Sequence, residues 1–341
     1  MINSLSFLII YFLLNKICLK FNFLIDKKDI SDHKKKVITE SKTPLTGGLI
    51  FIFYFISISF HENHLLLICL ITLYVTGLMS DINFLSSPIK RILLQSLVIF
   101  IFVLNSNLTI QTLSLDILDE LLKFKIVNIL FIVICFLVLI NGFNFLDGIN
   151  TLVISNFLIC FLSLYYVSTE FNLSLDFIFI KSLIIILSII FIFNFFGKSF
   201  LGDSGTYTIS FLVGFICVNF AYENYLFVSP YFIACLLWYP ALENLFSIIR
   251  RFFSKKKLSK ADNNHLHHCL YLNIQRNKFL KKKLYSNTFT GLLINLYMVF
   301  SAFLATLFYN HTQTLILIIL LNIFVYLFLY FLLNKKKLVE F

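Results

Sequence analysis

Long apolar stretches separated by short polar clusters recur from one end of the chain to the other. Eleven stand out, at roughly 4–25, 47–60, 65–80, 91–107, 126–143, 151–168, 178–196, 205–222, 228–249, 288–309 and 313–333. Runs of ~17–25 apolar residues are what a helix needs to cross ~30 Å of hydrocarbon. The second and third runs are short and divided only by His61-Glu62-Asn63-His64, so a count of ten stays open beside eleven. No separate soluble domain fits between the runs. The expected fold is an all-α polytopic membrane protein of about eleven transmembrane helices, residues 1–341 forming a single transmembrane domain.

Composition points the same way. Apolar residues make up 59% of the 341, and the mean hydropathy is +0.91. Soluble domains hold about 45–50%, so the excess must face something other than water. A net charge of +11 would suit nucleic acid if it sat on a soluble module. No basic, aromatic-interleaved module exists, and no nucleic-acid partner is expected. The seven cysteines are odd in number, form no CxxC and lie mostly within apolar runs, where they act as small hydrophobes.

Lysine and arginine decide the orientation. With the N-terminus outside, 23 of the 28 basic side chains fall on inside loops or the tail, against Lys123, Lys125 and Lys181 outside. Lys16 and Lys20 lie in the inner half of the first span, where they can snorkel to the surface. The C-terminus is then cytoplasmic, and 250–287 becomes a long basic cytoplasmic loop. The first run lacks a basic leader and a small-residue cleavage site, so it is expected to stay as a span.

Orientation places the uncommon polar clusters. Gly77-Leu-Met-Ser80-Asp81 ends the third run, and Asn141-Gly-Phe-Asn144-Phe-Leu-Asp147-Gly148-Ile-Asn150 joins the fifth to the sixth. Gly202-Asp203-Ser204-Gly205 opens the eighth, and His265-Leu-His267-His268 lies in the long loop. All four fall inside. Carboxylates at a bilayer boundary are costly unless paired or metal-bound, so their gathering on one side marks a candidate site. Isolated acids with an Asn suit a hard cation such as Mg²⁺ completed by water and phosphate oxygens. Gly-Asp-Ser-Gly ahead of a helix offers free N–H groups to an anion, and the histidines and basic loop can offset a diphosphate.

These four motifs, in this order, resemble the polyprenyl-phosphate N-acetylhexosamine-1-phosphate transferase family, glycosyltransferase family 4, over roughly residues 40–290. The resemblance implies transfer of a HexNAc-1-phosphate, GlcNAc-1-phosphate in the first place, from a UDP-sugar to undecaprenyl phosphate, with release of UMP. It implies Mg²⁺, or Mn²⁺ in its stead, on Asp81, Asp147 and Asp203, with those acids and His268 as catalytic residues. Asn144, Gly202, Ser204, His265, His267 and Lys42 would contact the donor. The His-x-His-His form and the span count look more like the glycan-initiating undecaprenyl-phosphate GlcNAc-1-phosphate transferase branch than the peptidoglycan branch, which transfers phospho-MurNAc-pentapeptide. The implied place is a bacterial cytoplasmic (inner) membrane, multi-pass, with the site on the cytoplasmic face. The implied role is starting a cell-surface glycan such as lipopolysaccharide, with membrane lipids as surroundings and a homodimer left open.

The chain departs from the family pattern at three places. Ser80 stands where the first of two acids is usual, Asn150-Thr151 where Asp-Gly is usual, and His33 lies too far upstream of Pro44, Gly47 and Gly48. Ser80 would silence the protein if the missing acid were an obligate base. The acceptor, however, is a phosphate monoester whose second pKa is about 6, so it attacks without one, and phosphoryl transfer rests on positioning and charge neutralisation.

Blander readings exist. Asp81 or Asp203 alone could be a helix-end charge. Asn141 and Asn144 alone could be packing polars. Arg250 and Arg251, and the lysine runs at 255–257, 281–283 and 335–337, could serve only topology and anionic lipid. The rival functions are an intramembrane prenyltransferase, a zinc tract on the histidines with Cys269, a transporter with midplane charges, and a binder of lipid phosphate without turnover.

Overall fold

The computed structural model describes residues 4–26, 42–59, 63–254, 264–276 and 283–338. His33, the His61–Glu62 pair and the lysines at 27–36, 255–257 and 281–282 lie outside the described residues. The described residues form fourteen helices and no strand. These are α1 (Ser4–Phe21), α2 (Gly47–Ser59), α3 (His64–Asp81), α4 (Pro88–Ser106), α5 (Asp116–Leu122), α6 (Lys125–Leu146) and α7 (Leu152–Phe171). There follow α8 (Phe177–Phe195), α9 (Gly202–Glu223), α10 (Pro230–Leu236), α11 (Trp238–Phe253), α12 (Leu266–Gln275), α13 (Lys283–Leu307) and α14 (Thr312–Leu338).

Among the described residues, ten of the eleven apolar runs each coincide with one helix, and the run at 228–249 is divided between α10 and α11. Eight helices (α3, α4, α6, α7, α8, α9, α13 and α14) are long and apolar enough to cross a membrane, and α10 with α11 makes a ninth if the bent pair counts as one. Helix α2 has 13 residues, about 20 Å at 1.5 Å per residue. The chain is a multi-span helical membrane protein. In hydrocarbon every backbone group must pair within the protein, and helices do this unaided.

Helix α9 is the axis of the bundle. Its spanning window is 78% buried, against 22% for α4 at the periphery. The reason is its sequence: Gly202, Ser204, Gly205, Thr206, Thr208, Ser210 and Gly214 are small, so neighbouring backbones can close on it. Its hydroxyls satisfy themselves one turn back, Thr206 on Gly202 O (3.0 Å), Thr208 on Ser204 O (2.7 Å) and Ser210 on Thr206 O. On α3, Gly77 faces the backbone of Asp203 and Ser204 so closely that a Cβ there would collide with it. Aromatic rings fill the wider gaps, as where Phe102 and Phe136 pack against Phe211.

The span expected at 228–249 is broken. Helices α10 and α11 meet at 75° around Leu237. Pro240 in the first turn of α11 has no N–H, and its ring would clash with the carbonyl four residues back. Gly142 of α6 makes room for the Pro240 carbonyl. Beyond the bend, α11 buries Trp238, Tyr239, Glu243, Asn244 and Ser247 and exposes Leu245, Ile248, Ile249, Phe252 and Phe253. Its polar face turns inward and its apolar face outward, the reverse of a water-soluble protein and the arrangement that lipid accepts.

Contacts show which helix ends share a face. The C-terminal ends of α3, α6 and α8 and the N-terminal ends of α4, α7, α9 and α13 meet through Asp81–Asp203, Arg91–Asp203, Asn144–Thr206, Thr151–Asn194 and Asn150–Asn287. The opposite face is closed by Asn128 on Ile110 and by Asn224 on Ser174. All the loops that carry the four motifs lie on the first face. Between α6 and α7, Thr151 adopts φ +69°, unusual for a β-branched residue. It is held there by Asn194 Oδ1 on its N–H (2.6 Å) and by the Asn295 amide on its hydroxyl (3.3 Å).

Gly77→Ala should lower stability by about 1–3 kcal/mol, the usual range for overpacking, because the obstacle is backbone and cannot rotate away. Thermal unfolding in detergent, followed by tryptophan or thiol-reactive fluorescence, measures it; an unchanged midpoint would refute the tight α3–α9 crossing.

Candidate active site

The first turn of α9 carries N–H groups with no partner inside the helix, and with them a partial positive charge. Asp81, the last residue of α3, meets both. Its Oδ1 accepts from Asp203 N (2.8 Å), and its Oδ2 accepts from Ser204 N (3.1 Å) and Ser204 Oγ (2.8 Å). Gly202 makes this possible: its φ is +73°, and a Cβ on it would run into the Asp81 carboxylate. The anion site expected at Gly-Asp-Ser-Gly is therefore present, and a carboxylate of the protein itself occupies it.

Asp203 points the other way. Its Oδ2 accepts from Ser80 Oγ (2.6 Å), Arg91 Nη1 (2.9 Å) and Tyr207 OH (3.3 Å). Arg91 Nη1 also donates to Ser80 Oγ (2.8 Å). The Arg91 and Asp203 side chains are 22% and 13% exposed, so the pair is sheltered but open on one side. Among the described residues Asp203 Oδ1 makes no hydrogen bond.

The remaining motifs join through short links. Thr206 Oγ1, one turn into α9, donates to Asn144 Oδ1 (3.3 Å). Asp147 caps the C-terminal end of α6. A Cβ on Gly148 would come within 3.4 Å of His268 Nε2, and the Phe145 ring lies 5.1 Å from the His265 ring. The three histidines are buried and packed, with ring centroids 4.3 Å apart for His267 and His268 and 5.3 Å for His265 and His267. Glu243 of α11 anchors them. His265 Nδ1 donates to its Oε2 (2.9 Å) and Leu266 N to its Oε1 (3.0 Å), while His267 Nδ1 stands 3.5 Å from Oε1, long for a hydrogen bond. Burial holds the His267 imidazole below its ordinary value of 6.5, because the charged ring loses its hydration.

Asp81, Asn144, Asp147, Gly202, Asp203, Ser204 and His265, His267 and His268 thus gather at one end of the bundle. The Lys42 amine donates to Asn22 Oδ1 (3.0 Å) just beyond the end of α1. Arg250 donates to Asn264 O (2.8 Å) and Tyr330 OH (3.1 Å) and so ties α11 to α14 beside the histidine segment. Among the described residues no group of three or more His, Cys, Asp or Glu side chains is arranged to hold a metal. Asp81 is committed to α9. Asp203, Asp147 and Asn144 carry the oxygen donors that could hold Mg²⁺, an ion that takes one or two carboxylates and completes its shell with water and phosphate oxygens.

The four motifs do not include Arg91 or Glu243. A signal existed for each. A cation in the opening turn of a helix, three residues after Pro88, opposes the helix dipole and so implies an anionic partner. An acid within an otherwise apolar run implies buried donors.

Helices that face lipid with their apolar sides and collect acids, amides and imidazoles at one end define a polytopic membrane protein with a polar site at the end of its bundle. Residues 63–221 match the family described as Glycosyl transferase family 4. A protein of Bacillus subtilis (strain 168) named "Probable undecaprenyl-phosphate N-acetylglucosaminyl 1-phosphate transferase" is 26% identical over 203 residues, covering 58% of this chain and 54% of that protein. The match spans about half the length of that relative.

Two outcomes follow from the geometry. Asp81→Asn puts an NH₂ group against N–H donors and removes the charge, so it should cost about 1–3 kcal/mol, seen as a lower unfolding midpoint; an unchanged midpoint would remove the capping role. His267 is favoured neutral in the fold, so the unfolded chain takes up a proton that the folded one resists as pH falls through 6.5. The midpoint should drop as pH falls below that value, and His267→Gln should show a smaller drop.

Proposed function

We propose that this chain transfers an N-acetylhexosamine-1-phosphate, GlcNAc-1-phosphate in the first place, from a UDP-sugar to undecaprenyl phosphate at the cytoplasmic face of a bacterial inner membrane. An oxygen of the lipid phosphate attacks the sugar-bearing phosphorus, the bond to the α-phosphate breaks, and UMP leaves. The product is a lipid-linked diphosphate sugar on which a cell-surface glycan is built. The supporting observation is the chain of contacts that brings the motifs of the matched segment, at Asp81, Asn144 and Asp203, to the histidine motif outside it. The name of the Bacillus subtilis relative accords with this reading.

The lipid phosphate is mostly dianionic at neutral pH, its second pKa being about 6, so Ser80 in place of an acid removes no obligate base. What remains is to bring two anions together. Arg91 supplies positive charge and the histidines supply hydrogen-bonding groups, and the outward apolar face of α11 sets the site beside lipid. Asp203 and Asp147 would hold Mg²⁺, or Mn²⁺ in its place, which when bound would supply further neutralisation of the diphosphate.

The test is a transfer assay with the purified full chain, undecaprenyl phosphate, Mg²⁺ and a panel of radiolabelled UDP-sugars. Lipid product and UMP should appear in equal amounts with at least one UDP-N-acetylhexosamine, and Asp203→Asn should reduce turnover about 10²–10³-fold, the scale of losing a preorganised electrostatic group. Absence of product with every donor would sink the proposal in favour of a lipid-phosphate binder without turnover.

A further inference from the structure

The Arg91 side chain is tied down on one side only. All its hydrogen bonds among the described residues leave from Nη1, to Ser80 Oγ (2.8 Å), Asp203 Oδ2 (2.9 Å) and Tyr207 OH (3.4 Å). A guanidinium has five N–H donors in a rigid fork, so the Nη2 and Nε groups stay available while the plane of the group is already fixed. At 22% exposure the side chain is still partly open to its surroundings. The neighbouring positive end, the α9 N-terminus, is already satisfied by Asp81. An incoming anion therefore meets the guanidinium rather than the helix.

Ser80 is the reason the fork is left half free. Its hydroxyl donates to Asp203 (2.6 Å) and accepts from Arg91 (2.8 Å) with no charge of its own. An aspartate there would set a second carboxylate against Asp203 and would draw the guanidinium into a bidentate pair, using the donors that are now available. With serine the local charge of Asp81, Asp203 and Arg91 is −1; with aspartate it would be −2.

We infer that Arg91 binds a phosphate oxygen of substrate through Nη2 and Nε, with Asp203 and Ser80 as the residues that position it, and that Ser80 makes the site permissive to an anion before any metal arrives. The identity of the phosphate rests on the transferase reading above. It belongs either to the nucleotide diphosphate or to the lipid headgroup, and the two sources can be told apart.

The experiment is calorimetric titration of the purified full chain in detergent with EDTA, using UDP in one arm and a short-chain polyprenyl phosphate in the other. The wild type should bind at least one. Arg91→Ala should weaken that binding about 10–100-fold, the range for a lost charge-assisted hydrogen bond. Arg91→Lys keeps the charge and the Asp203 pair but has no second nitrogen, and should still lose several-fold. Ser80→Asp should also weaken binding while its unfolding midpoint stays close to that of the wild type. Loss confined to UDP assigns Arg91 to the donor, and loss confined to the lipid assigns it to the acceptor. Wild-type affinity for both probes in Arg91→Lys and Ser80→Asp, with folded Arg91→Ala agreeing where it can be made, would overturn the inference and leave the transferase reading standing. A wild type that binds neither probe would overturn it as well, and the transfer assay decides separately whether the reading survives.

Discussion

One carboxylate against one helix end holds the site together. Asp81 closes the positive end of α9, and α9 is the element on which the neighbouring helices converge. Because the contact is made by the final residue of α3, it fixes the depth of α3 against α9 as well as capping it. Gly77 sets the separation of the two backbones and Gly202 bends the chain out of the way. Once that register is set, Asp203 has one direction left to point, toward Ser80 and Arg91. The rest of the cluster is assembled around this pair of acids, which meet at the same helix end but face opposite ways.

Two replacements in the family pattern share a physical logic. Ser80 and Asn150 both put a neutral hydrogen-bonding group where an acid is expected. Ser80 bridges Asp203 and Arg91. Asn150 is 3% exposed, with its N–H on Asn287 Oδ1 (2.6 Å) and its amide on Thr288 Oγ1 (3.3 Å). A carboxylate in that second place would be buried among amide and hydroxyl groups, an expensive setting for a charge without a partner. Thr151, the next residue, keeps a backbone conformation suited to glycine, and the asparagines around it supply the restraint that glycine would not need.

The spans and the gathering of the motifs were legible because both follow from local rules. Hydrocarbon thickness sets the length of each apolar run, and alternating lysine-rich loops put Asp81, Asn144, Asp147, Asp203 and His265 on one side before any contact was known. What was not legible is who pairs with whom. Gly-Asp-Ser-Gly reads as an empty anion site until α3 is seen to deliver Asp81 into it, a contact across 122 residues. Arg91 and Glu243 lie outside the motifs, and their partners, Asp203 and His265, are distant in sequence. The break at Leu237 was signalled by Pro240, but a continuous apolar run hid it.

The crowding around α9 also bounds how this sequence can change over time. The chain holds 43 Phe and only 10 Gly. Positions that look outward to acyl chains, such as Phe252, Phe324 and Phe328, take a large ring at no steric expense. Gly77, Gly142 and Gly205 cannot, because another backbone already stands where a side chain would grow. Bulk is therefore tolerated on the exterior of the bundle, while its innermost seam must stay chemically small.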